Sequence, residues 1–97
     1  MKHAKAIQLI TDHGAEIRER FGVSDLRVFG SVARGEPRAD SDVDVLVSFD
    51  GRPTFDRFMD LKIFLEELLD GRVDLVTRAA IRPEMRLKIE REAIRVA

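Results

Sequence analysis

Two aspartates, Asp42 and Asp44, stand on either side of Val43. In an extended segment side chains alternate between faces, so residues two apart point the same way and the two carboxylates converge. Like charges at that spacing repel, and a hard divalent cation is the usual compensation. Mg²⁺ takes a few carboxylates together with phosphate oxygens and water. An Asp-x-Asp pair alone is weak, because Asp40 and Asp42 form another and a solvated strand start explains either. The dipeptide Gly30, Ser31 sharpens the reading. A glycine lets backbone approach a phosphate closely, and the serine adds a hydroxyl and an N–H. Gly-Ser, ten residues, then Asp-x-Asp sets a phosphate cradle beside a metal pair, the two parts that nucleotidyl transfer needs.

Asp74 extends the set. It interrupts an apolar run, Val73, Leu75 and Val76, where an unpaired carboxylate is unfavourable. A salt bridge to Arg72 or a place on a solvated face would relieve it. Beside a metal pair, Asp74 is instead a candidate ligand for a second metal, or the base that takes the proton from an attacking hydroxyl. Arg34 lies between the turn and the Asp pair and is a candidate to neutralise triphosphate or pyrophosphate charge, with a surface arginine as the plain alternative. Arg38 and Ser41 are weaker candidates, and Ser41 reads as shaping the turn into the strand.

The elements that must position these groups follow from periodicity. Ile7, Ile10, Gly14, Ile17 and Phe21 step by three and four and predict one helix over roughly residues 3–20. Residues 26–29 form a short strand running into Gly30. Residues 43–49 are the clearest strand, with Val43, Val45, Val47 and Phe49 on one face. Residues 55–69 are helical, capped by Thr54 and stopped at Gly71. Residues 73–77 form a third strand, and Pro83 starts a last helix running towards the end of the chain. The order α-β-β-α-β-α predicts an α/β (α+β) domain, a small mixed sheet with helices packed mainly on one face.

The 97 residues are expected to form one domain, 1–97. Absence of cysteine excludes disulfides, thiolate metal sites and thiol nucleophiles. His3 and His13, with no carboxylate pattern beside them, read as surface or partly packed side chains. A net charge of −1, with 6% aromatic residues, argues against a basic nucleic-acid binder or a stacking platform. No apolar run approaches the roughly 20 residues of a membrane span, so a cytoplasmic protein without membrane contact is expected. The middle helix carries Phe58, Leu61, Leu65, Leu68 and Leu69 as its core face, and Phe55, Met59 and Ile63 as a second ridge that suits a neighbouring element or a protein partner. Glu66 and Glu67 read as a solvated face. In the last helix Met85, Ile89, Ala93 and Val96 form one stripe, with Leu87 and Ile94 opposite it.

The segment GSVARG from Gly30, followed by SDVDVLV from Ser41, resembles the signature of the DNA polymerase beta superfamily of nucleotidyltransferases. It is most similar to the minimal prokaryotic branch, the MNT-domain proteins. The resemblance implies a palm-like nucleotidyltransferase fold. It implies that Ser31 holds triphosphate, that Asp42 and Asp44 bind Mg²⁺ (or Mn²⁺), and that Asp74 is the third carboxylate, with ATP as substrate. Such proteins pair with a HEPN-domain RNase toxin. The implied activity is transfer of AMP from ATP to a tyrosine hydroxyl of that partner, making the chain an antitoxin. Two rival readings stay open: a non-catalytic antitoxin that covers its partner, and a nucleotidyltransferase acting on RNA or a small molecule. A domain this short has little room for both a base pocket and an acceptor site, so a partner or a second copy is expected to supply one wall.

Overall fold

The computed structural model describes residues 3–33 and 42–97. Two helices, α1 (His3–Asp12) and α2 (Gly14–Phe21), lead into β1 (Val23–Phe29) and a single turn, α3 (Gly30–Ala33). After residues 34–41 come β2 (Val43–Phe49), α4 (Phe55–Leu69) and β3 (Val73–Thr77). A 3-10 turn (Arg78–Ala80), α5 (Pro83–Glu92) and β4 (Ile94–Arg95) complete the fold. The sheet order is β3-β2-β1-β4, with β1 antiparallel to both β2 and β4, and β2 parallel to β3. A parallel pair needs a crossover, and α4 provides it. No helix among the described residues is long and apolar enough to cross a membrane.

Alternation along the strands decides which face is dry. Val43, Val45 and Val47, with Leu26 and Val28 of β1 and Val73 and Leu75 of β3, turn towards α1, α2 and α4. There they meet Ile10, Ile17, Leu61, Leu65 and Leu69, all almost fully buried. Full burial of each such side chain stabilises the fold by about 1.5–3 kcal/mol. The helices thus lie mainly on one side, the α+β arrangement that the element order implies. α4 has the expected bounds, and the Thr54 hydroxyl accepts the Arg57 N–H at 3.1 Å. The second ridge of α4 is exposed at Phe55 and Ile63.

Four expectations change. The first helix breaks at His13, whose Nδ1 lies 2.8 Å from the Leu9 carbonyl and whose ring meets Phe64 edge-on. β1 begins at Val23, three residues early. The left-handed residue that ends α4 is Asp70 (φ 50°), not Gly71, a conformation that a short polar side chain tolerates. The last helix stops at Glu92, because Ala93 turns extended (ψ 138°) and Ile94 and Arg95 pair with β1. The N–H groups of Val96 and Ala97 both donate to the Leu26 carbonyl, at 2.8 and 3.2 Å. An unpaired outer edge of β1 would leave backbone groups unsatisfied, so the apolar tail closes the sheet. The expected stripe through Ala93 and Val96 therefore does not exist, and no residue of α5 is buried.

Arg27 and Arg95 sit directly opposite one another across β1 and β4, a like-charge pair that would loosen the edge. Asp25 relieves it, accepting from Arg27 Nε at 2.9 Å and Nη2 at 3.2 Å, with Arg95 Nε 3.6 Å away. Burial alone would raise the Asp25 pKa, but the Arg27 hydrogen bonds and the charges of Arg27, Arg95 and Arg78 outweigh it and hold it below the ordinary value of 3.8. A depressed folded-state pKa contributes stability that is complete above the unfolded value and is lost as pH falls through the folded one. Asp25→Asn should cost on the order of 1–3 kcal/mol at neutral pH. Urea denaturation across pH should show the gap between variant and wild type constant above about pH 5 and shrinking below the unfolded-state value of 3.8. A gap independent of pH would contradict the assignment.

Candidate active site

Because Val43, Val45 and Val47 face the helices, Asp44 must face the other way. The register sets its neighbours: Phe29 of β1 lies directly across from it, and Asp74 of β3 lies directly beside it. Residues opposite one another in a sheet share a face and sit about 5 Å apart. Asp44 and Asp74 are therefore brought together on the face away from the helical core. Asp42 stands at the entry to β2, exposed, with its Oδ1 4.0 Å from Arg72 Nε. Such a surface pair contributes little.

Two hydrogen bonds pin these strand ends. The Val43 N–H donates to the Arg72 carbonyl at 3.0 Å. The Val73 N–H donates to Oε2 of Glu66 at 3.1 Å. Glu66 is thus no mere part of a solvated face; it reaches from α4 to anchor the residue just before Asp74. Nothing local in the sequence marks this contact, which exists only because the crossover returns beside β3. Asp74 itself is exposed and makes no hydrogen bond or ion pair among the described residues. The expected desolvation penalty is absent, since the apolar neighbours Val73 and Leu75 point to the opposite face. Arg72, the partner considered for Asp74, lies beside Asp42 instead.

Gly30 closes the site from the β1 side. It adopts φ +74°, and a β-carbon there would overlap Oδ2 of Asp44 and lie 3.1 Å from its Cγ. Glycine is required twice, by backbone conformation and by the space that the carboxylate occupies. The backbone of Ser31 continues into α3, while Arg34, Arg38, Asp40 and Ser41 lie outside the described residues. Phe29, half-buried opposite Asp44, is a site neighbour that sequence reasoning passed over. The signal was available: antiparallel pairing of the residue before Gly30 with β2 puts it on the carboxylate face.

Among the described residues no three His, Cys, Asp or Glu side chains form a ready-made metal cluster. The donors are two register-paired carboxylates and a third at the strand entry. That set fits a hard cation that takes few protein oxygens and fills its shell from phosphate and water, as Mg²⁺ does.

Gly30→Ala should destabilise the protein by about 1–3 kcal/mol through backbone strain and the clash with Asp44. Part of that cost should vanish when the same change is made in an Asp44→Ala background, and a double-mutant cycle in urea measures the difference. Strict additivity would show that the two residues do not touch.

Comparison with known proteins identifies the family. Residues 12–96 match the profile described as a nucleotidyltransferase domain. The chain is 44% identical over 88 residues to the protein adenylyltransferase MntA of Thermococcus cleftensis, covering 91% of this chain and 89% of that one. A solved structure assigned to a minimal nucleotidyltransferase superposes with a TM-score of 0.84 at 40% identity, covering 97% of this chain and 95% of that chain. A tri-AMPylated Shewanella oneidensis HEPN toxin in complex with MNT antitoxin matches with a TM-score of 0.67 at 17% identity, covering 94% and 71%, a likeness of fold alone. The profile spans both halves of the site, from the helix before β1 to the closing strand, and the chain belongs to the nucleotidyltransferase domain family.

Proposed function

We propose that this enzyme is a Mg²⁺-dependent protein adenylyltransferase that moves AMP from ATP to a tyrosine hydroxyl of a HEPN RNase toxin, and so acts as its antitoxin. The observation that carries this reading is the pairing of Asp44 with Asp74 in register while Gly30 packs against Asp44. The extent of the likeness to MntA supports a protein acceptor.

In this reading Asp42, Asp44 and Asp74 hold the divalent cation. When bound, it polarises the α-phosphate and offsets charge on the leaving pyrophosphate. The backbone N–H groups at Gly30 and Ser31, with the Ser31 hydroxyl, receive phosphate oxygens, and Arg34 neutralises triphosphate charge. The acceptor oxygen attacks the α-phosphorus in line, and its bond to the bridging oxygen of the β-phosphate breaks. Pyrophosphate leaves, and Asp74, exposed at the strand entry, takes the hydroxyl proton. The acceptor protein holds its own hydroxyl near attack distance.

MgATP should raise the melting temperature, since a ligand bound only by the native state stabilises it. Asp42→Asn with Asp44→Asn should abolish that rise and leave the fold intact; an unchanged rise would sink the metal assignment.

Transfer is tested with Mg²⁺, α-labelled ATP and the product of the neighbouring gene. The partner should gain mass in AMP units, and Asp74→Asn should lower transfer by about 10²–10⁴-fold while keeping most ATP binding. If the partner gains no label, yet wild type and the Asp42/Asp44 double variant inhibit it equally, the chain is a binding antitoxin.

A further inference from the structure

A concavity lies on the helical side of the sheet, away from the face that carries Asp44 and Asp74. It is a cleft of about 750 Å³ between the last turn of α2 and the outward side of α4. At its Phe21 end the seven residues of β1 separate it from Gly30, roughly 20 Å of extended chain, and at its Glu67 end it reaches along α4 towards the start of β3. On its α4 side Asp56, Asp60, Ile63 and Glu67 follow one another by four, three and four residues and share a stripe. Ile63 is 47% exposed. The three carboxylates make no hydrogen bond or ion pair among the described residues.

Two arginines border the same cleft, yet neither is committed to those acids. Arg57 lies against the Gly22 turn, where a β-carbon would be 3.0 Å from its Nη1. The Arg20 guanidinium stands 5.3 Å from the Phe21 ring and 5.4 Å from the Phe64 ring, the two rings being 5.3 Å apart. Its carboxylate contact is Glu16 on its own helix, at 3.7 Å. The rings therefore already hold a guanidinium, supplied by an exposed side chain that can be displaced. Aromatic faces attract cations, unpaired carboxylates add charge complementarity, and Ile63 offers an apolar contact between them.

We propose that this cleft is a docking groove for a basic, amphipathic segment of a partner protein, with one incoming arginine or lysine replacing Arg20 over Phe21 and Phe64. The groove is independent of the transfer chemistry and can stand or fall without it.

The chain contains neither Trp nor Tyr, so a synthetic Leu/Arg amphipathic peptide carrying one Trp reports binding by its own fluorescence. It should bind with an affinity that falls as salt rises, shifting the NMR signals of Ile63 and Phe64. An acidic peptide of the same apolar pattern should not bind. Asp60→Asn with Glu67→Gln should weaken binding about tenfold or more, Arg20→Ala should preserve or tighten it, and Asp44→Asn should leave it unchanged. The Asp60/Glu67 variant should keep a cooperative urea-unfolding transition and wild-type NMR signals away from the cleft, which shows an intact fold without reference to the transferase site. No binding of the basic peptide at low salt, equal binding by the Asp60/Glu67 variant, or shifts confined to the Asp44 and Asp74 end would overturn the proposal.

Discussion

The Asp44 carboxylate fills the space that a side chain at residue 30 would occupy, and much of the molecule follows from that contact. β1 can end there only on a glycine with positive φ. The chain can then turn at once into α3 without leaving the edge of the carboxylate face. The antiparallel register that makes this contact also sets Phe29 across from Asp44, and the parallel register of β3 sets Asp74 on its other side. Three separate stretches of sequence meet around one carboxylate because one strand, β2, is central to both pairings.

Stability is concentrated on the opposite face. The almost fully buried aliphatic residues of α1, α2 and α4 pack on the alternate positions of the same strands, so the carboxylate face contributes little to the main core. Leu46 and Ile81 are buried outside that cluster, and the 3-10 turn after β3 packs back on β2. The carboxylate face therefore carries charge without forfeiting the core, and Asp74 escapes the desolvation that a site within the core would impose. The Arg72 carbonyl and the Glu66 side-chain carboxylate hold the strand ends by accepting the Val43 and Val73 N–H groups, leaving Asp74 exposed.

At the outer edge the constraint is different. β1 would present unpaired backbone groups to solvent, and the last four residues cover them. That closure brings Arg95 against Arg27, and Asp25 makes the pairing tolerable. α5, left without a buried residue, serves here as the connection that carries the chain from β3 on one edge to β4 on the other.

Local information was enough for much of this. Apolar residues at every second position over residues 43–49, interrupted on the other face by Leu46, determined the strand and the face of Asp44, and the three- and four-residue steps with the Thr54 cap determined α4, because both patterns depend only on the period of the backbone. The spacing of Gly30, Ser31, Asp42 and Asp44 pointed to phosphate and metal chemistry for the same reason: each residue's type limits what it can bind. Tertiary structure alone decided the rest. Whether Ile94 and Val96 continue a helix or join a sheet depends on a vacant strand edge far away in sequence. Asp74 is exposed, and Glu66 serves as an anchor, only because of how the crossover returns. A periodic pattern says which face of an element is apolar. It does not say which neighbour will satisfy the backbone groups at the element's edge, since those partners are chosen across the whole fold.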